Sequence, residues 1–197
     1  MNGEQRRQFI LTTLREGGQP ITGAELARAA GVSRQVIVQD MAVLRAAGQS
    51  VIATPQGYLR LPDAASGAIS AGSRPYRAVL ASRHTREQVE EELNILVDHG
   101  VKVLDVVVEH AIYGELTGRL MVETREDVRA FVRRLNEGPA TLLADLTGGV
   151  HLHTVDAPSR VAFEAARDEL ARHGLLVDEA GGAAPRGDSA GHRMSVQ

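Results

Sequence analysis

Apolar positions in the first sixty residues recur at helical spacing and are punctuated by glycine. In EQRRQFILTTLREGG, Phe9, Ile10, Thr13 and Leu14 share one helical face, and Gly17 and Gly18 stop the run. Thr22 with Glu25 three positions on forms a capping-box pattern that opens TGAELARAAG. Gly31 turns the chain, and Ser33 caps SRQVIVQDMAVLRAAG, where Val36, Met41, Val43 and Leu44 supply apolar contacts before Gly48. SVIATPQGYLRLP then alternates around Pro55-Gln56-Gly57, which predicts a short β-hairpin. Residues 63–73, DAASGAISAGS, carry small and polar side chains and read as a linker.

From Pro75 the pattern changes. YRAVLASRH predicts a strand, and Thr85 with Gln88 forms a capping box for TREQVEEELNILVDHG, whose buried stripe is Val89, Leu93 and Leu96. VKVLDVVVEH is a β-branched run suited to a buried strand, and GRLMVE predicts another. Thr124 caps REDVRAFVRRLNEG, with Val128, Phe131, Val132 and Leu135 on one face. After TLLADLTGG come the strand VHLHTVD, a helix in SRVAFEAARDELARHG, and LLVDE as a short edge strand. Residues 180–197 offer almost nothing to bury and are expected to be disordered.

Two domains follow. Residues 1–62, three helices and a hairpin, have the order of a winged helix-turn-helix, whose second helix of the pair enters the major groove. That geometry assigns Ser33, Arg34, Gln35, Ile37 and Gln39 to base edges, arginine suiting guanine and glutamine suiting adenine. It assigns Gln56, Tyr58 and Arg60 in the hairpin to the backbone or minor groove. Residues 74–179 have the order βαββαβα, which suits an open-faced β-sandwich with helices on one face of a mostly antiparallel sheet. The class is α+β, and the uncovered face is where a ligand or partner would be expected.

Charge divides along the same boundary. The chain carries −3 overall, yet residues 1–62 hold seven arginines against four acids. Only the first domain is therefore suited to a polyanion. With no cysteine, disulfides, thiolate metal sites and cysteine nucleophiles are excluded, and any metal must be held by nitrogen and oxygen. No signal peptide or apolar run of spanning length is seen, which points to the cytoplasm and away from a membrane partner.

The histidines carry the candidate chemistry. His151 and His153 stand two apart on a predicted strand, so both rings point to one face. His84 ends the first strand of the domain, and Glu92 lies about two turns into the following helix. If the first and last strands are neighbours, three imidazoles and one carboxylate converge on a site for one divalent transition metal per chain: zinc, nickel, iron or cobalt. Plainer readings stand beside this one. Glu92 follows Glu90 and Glu91 on what would be a solvated face, and His84 would be a simple strand end. His110, with Tyr113 and Glu115 close by, would line a pocket. His99 and His173 fit helix C-termini.

Taken together, SRQVIVQDMAVLRAAG, TPQGYL, RHTREQVEEEL, VVVEHAIYGELTGRL and LTGGVHLHT resemble one family. It is the niacin-responsive repressors of NAD biosynthesis and niacin uptake, which join a helix-turn-helix to a 3H domain named for its histidines. The resemblance covers roughly residues 4–178. It implies a divalent metal at His84, Glu92, His151 and His153, and nicotinic acid or nicotinamide as the effector; His110 and Tyr113 are the candidates for the pocket beside the metal. It further implies that the effector-bound form grips double-stranded operator DNA; a homodimer is expected, its two recognition helices reading the halves of a near-palindromic operator. An enzyme acting on a pyridine compound and a regulator responding to the metal itself are the rival readings; the attached reader domain argues against the enzyme.

Overall fold

A computed structural model describes residues 1–61, 75–137 and 141–177. The expected linker at 63–73 and tail at 180–197 lie outside the described residues.

The first domain forms the expected elements. Helix α1 (Gly3–Gly17) starts at a capping box between Asn2 and Gln5, and α2 (Gly23–Ala30) at the box between Thr22 and Glu25. Helix α3 (Arg34–Ala46) is capped by the Ser33 hydroxyl, which accepts from the Val36 N–H. Strands β1 (Val51–Thr54) and β2 (Gly57–Arg60) pair antiparallel. Ile10, Leu14, Leu26, Ile37, Met41 and Tyr58 form the core between them. Buried Arg6 grips Asp40 through two contacts of 2.5 and 3.1 Å, which ties α1 to α3. Arg7 adds a further contact to Asp40 at 3.6 Å; losing Asp40 would strand the buried Arg6 charge, at a cost of about 3–5 kcal/mol.

The second domain runs β3 (Tyr76–Arg83), α4 (Val89–Asp98), β4 (Lys102–His110), β5 (Gly114–Val122), α5 (Arg125–Glu137), β6 (Val150–Ala157) and α6 (Arg160–Arg172). This is the βαββαβα order read from the pattern. A 3-10 turn at Leu143–Thr147 occupies the stretch before β6. The sheet order is β3-β6-β4-β5, antiparallel throughout, so the first and last strands are neighbours. Leu175 and Val177 bond to Arg83 and Ala81 beside β3, where the short edge strand was expected.

Strand alternation sorts the two faces of the sheet. Val155 and Ala157 of β6 join Leu80, Val103, Leu93, Leu96, Phe163 and Leu170 in the core under the helices. His151 and His153 fall on this same face, because residues two apart point alike. The candidate cluster therefore sits beneath α4, and the expectation of a site on the uncovered face is corrected. That second face is not uncovered either. Ala81, Val150, Leu152 and Val177 pack against Val38, Ala42 and Val43 of α3.

Candidate functional site

His84 follows the end of β3, Glu92 lies in the first turn of α4, and His151 and His153 come from β6. The structure brings all four together. His84 Nε2 is 2.7 Å from Glu92 Oε2, His153 Nε2 is 3.3 Å from it and His151 Nε2 is 3.6 Å from it. The two β6 imidazoles approach to 3.1 Å between their Nε2 atoms. All four residues are buried. The solvated-face reading of Glu92 is set aside by its burial, at 1 % exposure.

Backbone carbonyls fix the rings. His84 Nδ1 contacts Thr85 O at 2.8 Å, His151 Nδ1 contacts Gly149 O at 2.9 Å, and His153 Nδ1 contacts Asp105 O at 2.7 Å. A carbonyl only accepts, so each Nδ1 carries the proton and each neutral ring turns a bare Nε2 lone pair inward. Three lone pairs then face one carboxylate, whose other oxygen, Glu92 Oε1, has no protein partner. Such a group of acceptors calls for protons or a cation. Ligand atoms around a four-coordinate ion with bonds of about 2.1 Å lie about 3.4 Å apart; the spacings to Glu92 and between the β6 imidazoles bracket that value, and His84, Glu92 and His151 form the group whose ligand atoms all lie within 4.8 Å of one another. The donor set fits a divalent transition ion, with the carbonyls orienting the rings as outer partners commonly do.

Proton affinities reflect the same crowding. Burial by itself would raise the Glu92 carboxyl, but His153 and His151 override it and hold Glu92 well below the ordinary carboxylate range. Burial disfavours charge on the rings as well. Glu92 outweighs it at His84 and His153, which are raised, whereas burial prevails at His151, which is lowered.

The two glycines before the histidines have a structural purpose. Gly148 and Gly149 both take positive φ, and a Cβ on Gly149 would stand 2.4 Å from the His84 carbonyl oxygen. Only glycine lets the chain cross so close to His84 and then enter β6. Two supporting residues escaped sequence reading. Asp105 acts through its backbone, which no side-chain pattern reveals. Ser82 stands directly across from His151, fully buried, and its hydroxyl finds no protein partner; its position two before His84, near the end of β3, was the available signal.

Beside the four polar residues opens a narrow cleft of about 40 Å³, in part open to solvent and lined by Leu93, Val106, Leu120, Phe131, Leu142 and Leu143. His110 and Tyr113 do not line it. They stack on each other at the β4–β5 turn, ring centres 4.8 Å apart, and His110 borders a different groove shared with the first domain. Their assignment to the pocket beside the candidate metal site is corrected: His110 lies five strand positions beyond Asp105, about 16 Å of chain.

A helix-turn-helix family model matches residues 6–59 and a 3H-domain model matches residues 77–179. The chain is 43 % identical to Transcription repressor NadR of Bacillus subtilis (strain 168) over 177 residues, covering 90 % of this chain and 96 % of that one. It is 38 % identical to Probable transcription repressor NiaR of Thermotoga maritima over 176 residues, covering 89 % and 95 %. The chain belongs to the helix-turn-helix–3H repressor family. As a member of that family it is a DNA-binding regulator and not an enzyme. Among the described residues no helix is long and apolar enough to cross a membrane.

The residues assigned to DNA separate into three groups in this 3H repressor. Ser33 and Gln56 are exposed, and Gln39 and Arg60 are half-buried. Ile37 and Tyr58 are core residues at 0 % and 1 % exposure, so their assignment to DNA is corrected. Helical spacing puts Ile37 on the stripe of Met41 and Leu44, facing inward, and strand alternation puts Tyr58 on the inner face of the hairpin. Arg34 and Gln35 reach the second domain: Arg34 Nη2 lies 3.0 Å from Glu109, and Gln35 Nε2 donates to the Thr147 carbonyl at 2.7 Å. Burial lifts the Glu109 carboxyl above its ordinary value, while the Tyr58 hydroxyl, which donates to it, and Arg34 pull the other way.

Proposed function

We propose that this chain represses genes of NAD biosynthesis or niacin uptake by binding their operators as a homodimer, with nicotinic acid or nicotinamide as co-repressor. The observation that carries the effector half is the convergence of three inward Nε2 lone pairs on a buried carboxylate at the mouth of an apolar cleft. His84, Glu92, His151 and His153 would hold one divalent transition ion. Bound there, the ion would offer a Lewis-acid face to a pyridine nitrogen or a carboxylate. Leu120, Phe131 and Leu142 would pack against the flat faces of an aromatic ring and keep water from it. The glutamate's negative charge disfavours an anion arriving without the cation, so effector affinity should depend on metal loading.

The names of the two relatives and the joined reader and 3H domains support the regulatory half. Two reader domains in a dimer would match the halves of a near-palindromic operator.

An operator-binding titration with each pyridine, on metal-loaded and metal-stripped protein, tests the reading. Tightened binding only with metal plus nicotinic acid or nicotinamide is expected. Full binding with metal alone would make the ion itself the signal and overturn the vitamin-sensing account.

A further inference from the structure

We infer that the second face of the 3H sheet is a docking surface for the recognition helix, and that it competes with DNA for that helix. Helix α3 turns Ile37, Met41 and Leu44 into its own domain. The opposite side is the one a recognition helix lays into the major groove, and here it is occupied. Val38 and Ala42 are 6 % and 5 % exposed, packed on Val150 and Leu152 of β6.

Polar contacts reinforce the seat. Arg34 pairs with Glu109, and Arg45 Nη2 lies 2.5 Å from Glu115, which also accepts the Ala53 N–H at 3.0 Å. A Cβ on Gly114 would meet the backbone of Ala53 and Thr54 at 3.0 Å, so the two domains touch main chain to main chain. A duplex cannot share this face with a sheet. Operator binding therefore requires α3 to leave it.

A path connects the seat to the cleft beside the histidines. Leu142, Leu143 and Ala144 line that cleft, and the same 3-10 turn ends at Thr147, whose carbonyl holds Gln35. Strand β6 faces the cleft with His151 and His153 and faces α3 with Val150 and Leu152. A ligand pressed against Leu142–Ala144 acts on the turn that grips Gln35, and shifts the balance if it favours the released arrangement. Only this sign, effector releasing the helix, rests on the co-repressor reading; the competition itself does not.

A cleavable bridge tests it. The chain has no cysteine, and the exposed residues Ala46 of α3 and Arg167 of α6 border the same crevice. Full-length protein carrying Ala46→Cys and Arg167→Cys is joined with a short, cleavable bis-thiol reagent, and operator binding is measured before and after cleavage, with and without nicotinic acid. Efficient bridging, with affinity at least about tenfold weaker until the bridge is cut, is expected. Equal affinity in both states, or failure of the bridge to form, overturns the inference. Loss of binding on bridging in a protein whose cleaved form ignores nicotinic acid would instead sink the co-repressor reading and leave the competition standing. As an independent measurement, Glu109→Gln, which weakens the seat from the sheet side, should raise operator affinity without nicotinic acid by about tenfold; an unchanged affinity would count against docking as a brake.

Discussion

His151 and His153 bring their Nε2 atoms within 3.1 Å of each other while each Nδ1 contacts a backbone carbonyl. Two neutral rings so held have no hydrogen to share, and their repulsion is relieved only by something positive between them. Replacing both by alanine should remove stoichiometric metal, with affinity down at least about a hundredfold. Elemental analysis after gel filtration, with circular dichroism as the check on folding, measures it. Full retention of metal by a folded double variant would remove these residues from the site.

Gly149→Ala probes the approach that delivers β6 to His84. The added methyl carbon meets the His84 carbonyl oxygen at 2.4 Å, and the backbone there has φ of 89°. The substitution should cost at least about 2 kcal/mol in urea unfolding and should also weaken metal binding, because His84 must move. Wild-type stability would show that the crossing has slack.

Protons and metal compete for one set of ligands, and the directions of the shifts fix the sign. In metal-stripped protein the raised His84 and His153 contribute stability below the unfolded imidazole value of 6.5, lost as pH rises through their folded values. Depressed Glu92 contributes above the unfolded carboxyl value of 4.5, and that contribution is lost as pH falls through its folded value. Lowered His151 opposes the other rings, costing stability as pH falls below 6.5. The charged cluster thus helps the stripped protein most between these two unfolded values. Added metal acts the other way, because it needs the rings unprotonated. The rise in Tm conferred by metal should therefore be large near about pH 8 and shrink towards about pH 5.5. A rise of equal size at both, by calorimetry, would contradict histidine ligation.

Within α3, neighbouring residues should fail in different ways. Ile37→Ala opens a hole in the reader core and should cost about 2–5 kcal/mol of stability. Arg34→Ala, compared with Glu109→Gln, which breaks the same ion pair, should weaken operator binding by about 1–3 kcal/mol and relax base choice at one position. Chemical denaturation and binding to single-base operator variants separate the two. A base-choice effect from Ile37→Ala in folded protein would restore it as a reader.

Much of this was legible in the chain because local rules decided it. Capping boxes at Thr22 and Thr85 and the stops at Gly18, Gly31 and Gly174 marked helix ends that the structure retains. The spacing of His151 and His153 fixed their common face, and the element order allowed β3 to neighbour β6. Which of the two faces they occupy depended on where the helices pack, a tertiary choice that alternation alone leaves undecided. The docking of α3 on the sheet was equally hidden, since Val38 and Ala42 suit a solvent-facing groove reader as well as a buried patch. His110 and Tyr113 misled because nearness in sequence to a strand end says little about which cleft a turn borders.

Strand β6 serves two customers on a period of two: the histidines that face Glu92 on one side, the seat of the reader helix on the other. Its reading frame is therefore unforgiving. Inserting or deleting one residue just after Gly149 would exchange the two sets, sending aliphatic side chains towards Glu92 and imidazoles towards α3. The histidine cluster and the seat of α3 would be lost in the same stroke, so the length of these eight residues binds the two faces of the sheet together.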